Sequence, residues 1–472
     1  MAEEILDTQQ KAQALNLDNS KYGTFAEIGA GQEVARWFFH AGKAAGTVAK
    51  SVSAYDMSIS DGMYGPSPRY VSRERLESML DHEYNELVQR LDAKRGETTN
   101  FFVFADTVAT HKRTATETGQ GWLGMRFQTH PRKEPSEIII HVQMLDLDPL
   151  GQQAALGMFG VNLVYAAFHH WWEPNALLRS LTEGLKRGRG EVDMIKFSGP
   201  AFEEVDNRLM SLQLVELGLT DAAMFTAQGE VVQPGEVLYH KPVLLERGSF
   251  RPVTKVSIDM LDRALAQVQK DRRPEEVANA VVLMEMTLNN LMYEKEIDQK
   301  DFLARADILT ALGKNVLISN YTRFDGVTEY LRHYTNSRVG MVVGVPTLQE
   351  IFKEEYYEDL EGGILEGLGR LFHGQVTLYV YPTIDAASGQ LLTAEHAAIK
   401  PELKHLYEYL WDNHRIAMIR DYDVAGLRVS PGEVLEKLQS GDSSWESLVP
   451  EKAAQLIKDK GFFGYAAKAA AD

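Results

Sequence analysis

Cysteine is missing from all 472 residues. That absence removes disulfides, thiolate zinc sites and a catalytic thiol together. Long apolar runs are missing too. The most apolar stretch, Gly157 to Phe168, falls short of the roughly 20 residues that span a bilayer and carries Asn162 at its centre, which suits a buried helix and not a membrane partner. Positive charge is in deficit: 49 Lys and Arg face 67 Asp and Glu, a formal net charge of -18. A surface that acidic repels phosphate backbones, so nucleic acid is not an expected partner. The start, Met1 to Asp7, has neither the basic residues nor the apolar centre of a secretory signal, and a cytoplasmic location is expected. Low complexity is confined to the alanine-rich tail from Ala466.

What remains, 44% hydrophobic and 25% charged, is enough for two domains with cores of their own. Residues 1–240 read as α+β. Ser72 precedes a helical pattern of Leu76, Met79, Leu80, Leu87, Val88 and Leu91 that Gly96 stops. Strands are expected at Phe101 to Ala105, Trp122 to Gln128 and Glu137 to Leu145, forming a small antiparallel sheet. Ser51 to Pro68 reads as a loop. Helices follow at Leu150 to His170 and Pro174 to Arg187, a strand at Val192 to Phe197, and a helix from Pro200 through Leu217.

Residues 241–472 read as a Rossmann-like α/β domain. Five strands, Val243 to Glu246, Val316 to Ser319, Met341 to Val345, Val376 to Tyr381 and Ile416 to Ile419, alternate with helical stretches, including a long one from Pro274. Such a pattern implies a mostly parallel sheet with helices on both faces. Ligands gather at the carboxyl ends of its strands.

The segment with most chemistry starts at the first of these strands. Val243-Leu244-Leu245-Glu246 is apolar, Gly248 to Thr254 is a Gly/Pro turn, and Lys255 opens an amphipathic helix. A strand, turn and helix in this order present backbone amides and a helix N-terminus to phosphate. On this reading Gly248, Ser249, Phe250, Arg251, Thr254, Lys255 and Ser257 hold a small phosphorylated ligand or nucleotide, with Arg251 and Lys255 neutralising it. Asp259 and the pair Asp421 and Asp423, after the last strand, are candidate Mg²⁺ ligands.

The turn resembles the first signature of the adenylyl- and cytidylyltransferases. Gly248, Ser249, Phe250, Pro252, Val253, Thr254 and Asp259 match it, while Arg251 stands for an Asp, Val256 for a Gly and Ser257 for a His. It is a degenerate form, in which the glycine and histidine that stabilise charge on the α-phosphate are replaced. Ile318 to Arg323 echoes the second signature. The resemblance implies nucleotide binding, with adenylyl transfer as its furthest extension. Through Tyr22 to Phe39, Arg69 to Leu91, Phe197 to Leu212 and Arg247 to Leu261, the chain also resembles a family of uncharacterised bacterial cytosolic proteins. Some of its members are labelled nicotinamide-mononucleotide adenylyltransferase or TonB-dependent receptor; the latter would need a signal peptide and a lipid-facing barrel.

Other groups invite weaker readings. Glu27-Ile28-Gly29-Ala30-Gly31 looks like a cofactor glycine loop, but Val34 takes the place of the third glycine and a helix-entry turn fits better. Asp146 and Asp148 read as an acidic turn. His169 and His170 diverge on a helix and do not share a metal. Asp106 and His141 are expected to be buried and hydrogen-bonded. The alternative to a ligand-binding protein is a non-catalytic scaffold that assembles into homo-oligomers through aromatics such as Trp171, Trp172, Tyr356 and Tyr357.

Overall fold

The computed structural model describes residues 6–111, 118–270, 279–293, 295–385, 388–424 and 426–465. The chain forms two compact units, Met1–Thr220 and Asp221–Asp472. The division falls ahead of the expected 240/241 boundary because the strands just after Thr220 join the second sheet.

In the first unit, helices α1 (Thr8–Asn16), α2 (Val34–Ala41), α3 (Met57–Tyr64), α4 (Arg73–Arg95), α5 (Pro149–His169), α6 (Pro174–Ser180) and α7 (Asn207–Glu216) accompany six strands. These are β1 (Lys21–Gly29), β2 (Val48–Ala54), β3 (Asn100–Ala109), β4 (Gly119–Phe127), β5 (Ser136–Met144) and β6 (Gly190–Ser198). They form one sheet in the order β2-β1-β3-β4-β5-β6. β1 runs parallel to β2 and β3, and β3 to β6 run antiparallel. The expected antiparallel strands are therefore half of a larger mixed sheet.

β3 is buried along nearly its whole length, as an apolar run covered on both faces must be. α4 packs close to β4 because Gly124 leaves room for Leu76 and Leu80, and α5 approaches α2 at Gly160, where a Cβ would lie 2.2 Å from Val34. Phe25, Phe38, Phe102 and Phe104 fill the space between, with the Phe25 and Phe38 rings 4.7 Å apart. Each such side chain contributes about 1.5–3 kcal/mol by leaving water.

Three expectations need correction here. Ser51 to Pro68 is not a loop: it holds the end of β2 and then α3, which starts because the Asp56 carboxylate accepts from the Ser58 and Ile59 amides. The helix from Pro174 ends at Ser180 instead of Arg187. The helix expected from Pro200 is a single turn, Pro200–Phe202, followed by α7, which Asp206 caps separately.

The second unit begins with β7 (Ala222–Phe225), β8 (Val231–Val232), α8 (Pro234–Leu238), β9 (Val243–Arg247), α9 (Lys255–Lys270) and β10 (Val281–Thr287). Next come α10 (Leu288–Leu291), β11 (Met292–Tyr293), β12 (Glu296–Ile297), α11 (Gln299–Ala311), β13 (Asn315–Ser319), α12 (Phe324–Tyr334), β14 (Val339–Gly344), α13 (Val345–Ile351) and α14 (Gly363–Leu371). β15 (Val376–Tyr381), the small hairpin β16 (Thr383–Ile384) and β17 (Leu391–Leu392), and β18 (Ile416–Met418) complete the strands.

The main sheet has eight strands, ordered β18-β15-β14-β9-β10-β13-β7-β8. The six from β18 to β13 are parallel, and β7 and β8 add an antiparallel edge. The expected five-strand sheet thus lacked β10, in a region read as helix from Pro274, a residue outside the described ones. Val281 to Met284 is a continuous apolar run, and periodicity alone does not separate a buried strand from a buried helix. In chain order the parallel strands lie 6-5-4-1-2-3, the doubly wound arrangement that reverses between its first and fourth members.

Candidate functional site

That reversal falls between β9 and β14. The chain leaves β9 through Gly248 to Thr254 into α9, while β14 leads directly into α13, whose Val345, Leu348 and Ile351 join the core that covers Val243, Leu245 and Met341. α9 buries Leu261 and Ala264 apart from that core. The two connections thus leave the sheet toward different parts of the core at its carboxyl edge, the position where doubly wound sheets take ligands.

The turn is itself well tied. The Gly248 amide donates to the Glu285 carbonyl at 3.0 Å, and the Ser249 carbonyl accepts from Arg305 at 3.0 Å. Phe250 has φ +50° and is buried, and the Arg251-Pro252 peptide is cis. The Arg251 guanidinium lies 2.6 Å from Asp301, which also holds Arg305. Thr254 is buried, and its hydroxyl accepts from the Ser257 amide at 3.3 Å. Lys255 is exposed and reaches the Ser447 carbonyl at 2.7 Å.

The three expected metal ligands do not converge. Asp259 accepts from the Tyr381 hydroxyl at 2.6 Å, from Arg263 at 3.0 Å and from the Asp423 amide at 3.3 Å. Burial would raise its pKa, but those hydrogen bonds hold it below the usual carboxylate range. Asp421 pairs with Lys270 at 3.3 Å, and Asp423 is exposed, with its carboxylate near Gly426 on the α9 side.

Two carboxylates at this edge escaped the sequence reading. Glu285 on β10 is fully buried, accepts both arms of the Arg247 guanidinium at 2.8 and 2.9 Å, and takes the Ser319 hydroxyl at 2.6 Å. Glu246 on β9 is buried with one oxygen lacking a partner. Burial pushes it well above the usual range, opposed in part by the Ser257 hydroxyl and Lys314. The signal for both was available: one acid inside an otherwise apolar strand, in Val-Leu-Leu-Glu and in Val-Leu-Met-Glu-Met.

In the first unit the Glu27 to Gly31 turn enters α2, as a helix-entry turn should. Glu27 accepts from the Val34 amide at 2.9 Å and the Ala35 amide at 3.2 Å, so the protein's own carboxylate fills the place a phosphate would take. A cleft of about 250 Å³ opens at the carboxyl ends of these strands, with Ile28, Gly29, Ala30, Met57, Val108 and Thr110 in its wall.

The remaining sequence candidates are structural. His141 and Asp193 are buried together at 2.6 Å, with Gln143 and Gln120 completing the network. Asp106 is buried as expected, but neither carboxylate oxygen has a standard hydrogen-bond partner, contrary to expectation. Asp148 caps α5 and Asp146 pairs with Arg189, an acidic turn and not a cation site. Among the described residues the one trio of metal-ligating side chains close enough to share an ion is His82, Glu83 and Glu86, and the Lys50 ammonium sits between the two glutamates at 2.5 Å from each. No helix among the described residues is long and apolar enough to cross a membrane.

No family model and no curated protein matches the chain. Solved structures similar to it include a competence/damage inducible protein CihA from Agrobacterium tumefaciens, at 14% identity over 35% of this chain and 98% of that one, with a TM-score of 0.26. A CinA superfamily protein from Enterobacter cloacae matches at 13% identity over 35% of this chain and 95% of that one, TM-score 0.26. Competence damage-inducible protein A from Klebsiella pneumoniae matches at 14% identity over 35% and 99%, TM-score 0.27.

Proposed function

We propose that the second unit binds a nucleotide or another small phosphorylated metabolite at the carboxyl edge of its sheet, between the Gly248 to Thr254 turn and the end of β14. The observation that supports this reading most is the reversal of strand order at that point, where connections diverge and side chains from several elements meet one ligand. Lys255, exposed on the first turn of α9, meets phosphate by giving up its bond to the Ser447 carbonyl. Arg251 joins by exchanging its contact with Asp301, which keeps Arg305. Asp423, whose amide donates to Asp259, is the carboxylate assigned to a Mg²⁺ ion carried in by the phosphates. Adenylyl transfer is the furthest extension of this reading, and it would need Arg251 to supply the charge that histidine supplies in the resembling enzymes.

A ligand that binds only the folded state raises the melting temperature with its excess over Kd. Thermal shift of the full chain with ATP and nicotinamide mononucleotide, with and without Mg²⁺, is expected to show such a rise, reduced in Lys255→Ala. No shift from either nucleotide at millimolar concentration refutes binding, and an unchanged shift in Lys255→Ala and Arg251→Ala refutes the assigned residues.

Self-assembly is the second reading, and it rests on exposed apolar side chains: Tyr55, Met57 and Ile59 together near α3, and Trp172 beyond α5. Tyr357 leaves that argument, since it is buried in the second unit's core. A large particle in light scattering, with no nucleotide response, favours assembly.

A further inference from the structure

Glu27 and Asp106 are register partners on the parallel strands β1 and β3, so their side chains leave the sheet on the same face, one strand apart. Both are buried, at 2% and 0% exposure. Glu27 is held by the first amides of α2. Asp106 has no comparable anchor, and directly over it passes Gly31, where even a Cβ would come within 2.1 Å of Oδ1.

The turn above the pair is tied to the sheet by the Ala30 amide, which donates to the Val108 carbonyl at 3.2 Å, and to α5 by Gln153, which reaches the Ala30 carbonyl at 3.5 Å; within it the Glu33 amide donates to the Gly31 carbonyl at 2.8 Å and the Gln32 side chain to the Gly29 carbonyl at 2.9 Å. Of the groups facing the pair, α2 and its entry bring Glu33, a further negative charge paired with Arg36 at 3.1 Å. α5 brings the neutral Gln153, with Gly157 against Glu33 and Trp37, and β4 places Leu123 opposite Asp106. None of these places a cation against Asp106.

We propose that Glu27 and Asp106 together carry at least one proton in the closed state and act as a latch on the Gly29 to Glu33 turn, so that losing this proton as pH rises lifts the turn and widens the cleft it lines. Two buried negative charges on adjacent strands repel each other and lack water, and Asp106 reaches solvent by displacing Gly31. The direction of titration agrees. Burial, and then the neighbouring Glu27 charge, raise Asp106 well above its usual range against the pull of the Ile28 amide, while burial and Glu33 push Glu27 up to about 7 against the pull of the α2 amides. A carboxyl group whose pKa is raised in the closed state holds that state at low pH and releases it as pH climbs toward the raised value. For one group the opening constant then grows about tenfold per pH unit over that window.

Hydrogen exchange of the full chain at pH 5, 6 and 7, corrected for the intrinsic base-catalysed rate, tests the latch at the amides of residues 28–36, with amides of the second unit as reference. Wild type is expected to lose protection there by roughly 100-fold from pH 5 to 7. Asp106→Asn, which keeps the shape without the charge, is expected to stay protected across the range. Gly31→Ala, whose methyl collides with Asp106, is expected to be open at every pH. Wild-type protection that does not change between pH 5 and 7 overturns the proposal without any variant, as does a pH slope in Asp106→Asn equal to that of wild type. If Asp106→Asn fails to fold, Glu27→Gln takes its place, since its amide oxygen still accepts from Val34.

Discussion

Arg247→Ala is the most informative single change at the carboxyl edge of the second sheet. The guanidinium joins the ends of β9 and β10 through two bonds to Glu285, 2.8 and 2.9 Å, donates to the Thr322 carbonyl at 3.0 Å and lies 4.3 Å above the Phe324 ring. Glu285 is wholly buried and Arg247 is 11% exposed at its side chain, so truncation leaves an uncompensated charge in the sheet with only Ser319 to donate to it. Breaking a buried pair from one side costs about 3–5 kcal/mol. The loss should be read from exchange of the slowest amides in β10 and β13, which report the unit's own unfolding. Adding Glu285→Gln to Arg247→Ala removes the stranded charge while keeping an acceptor for Ser319, and it is expected to recover at least half of the loss. A loss below about 1 kcal/mol, or no recovery in the double variant, would show that the pair does not set the geometry of this edge.

Three smaller changes separate packing from titration. In α14, a Cβ on Gly367 would sit 2.1 Å from the buried Tyr357 ring, so Gly367→Ala is expected to lower stability by about 1–3 kcal/mol in thermal unfolding. Gly369 on the same helix has nothing within 4 Å of that position, and Gly369→Ala is expected to gain about 0.5–1 kcal/mol. His169, at the end of α5 and stacked 4.2 Å from Tyr165, is pushed down to about 4 by burial and by the charges of Lys21 and His170. Its folded pKa lies below the ordinary value of 6.5, so its contribution is complete above that pH and is lost as pH falls toward 4. His169→Gln is expected to flatten the first unit's stability over that window, and an unchanged acid limb would contradict this.

Local patterns carried much of the fold. Ser72 caps α4, the apolar runs of β3 to β5 are strands, and α5 starts at Pro149 behind Asp148, all from signals a few residues long. β2 was hidden because Val48 to Ala54 is a half-exposed edge strand with little apolar content, and β10 because its run from Val281 to Met284 is apolar without alternation. The order of the second sheet was not legible at all, since pairing β9 with both β10 and β14 joins segments far apart in the chain. The same holds for the acid pair. Glu27 and Asp106 each look ordinary in sequence, and only the register of β1 against β3 makes them neighbours. The turn from Gly248 to Ser257 was legible as a strand, turn and helix, whereas the partners that occupy its groups, Glu285, Asp301, Arg305 and Ser447, lie on distant segments.

The central claim is that the carboxyl edge between β9 and β14 receives a phosphorylated ligand. Hydrogen exchange with and without saturating ATP and Mg²⁺ measures this most directly, because it locates the contact as well as detecting it. Slower exchange at residues 248–258 and 344–348, with residues 27–36 unaffected, is the expected footprint. If exchange at these positions stays the same with ATP and with nicotinamide mononucleotide, the ligand-binding account of this edge is wrong.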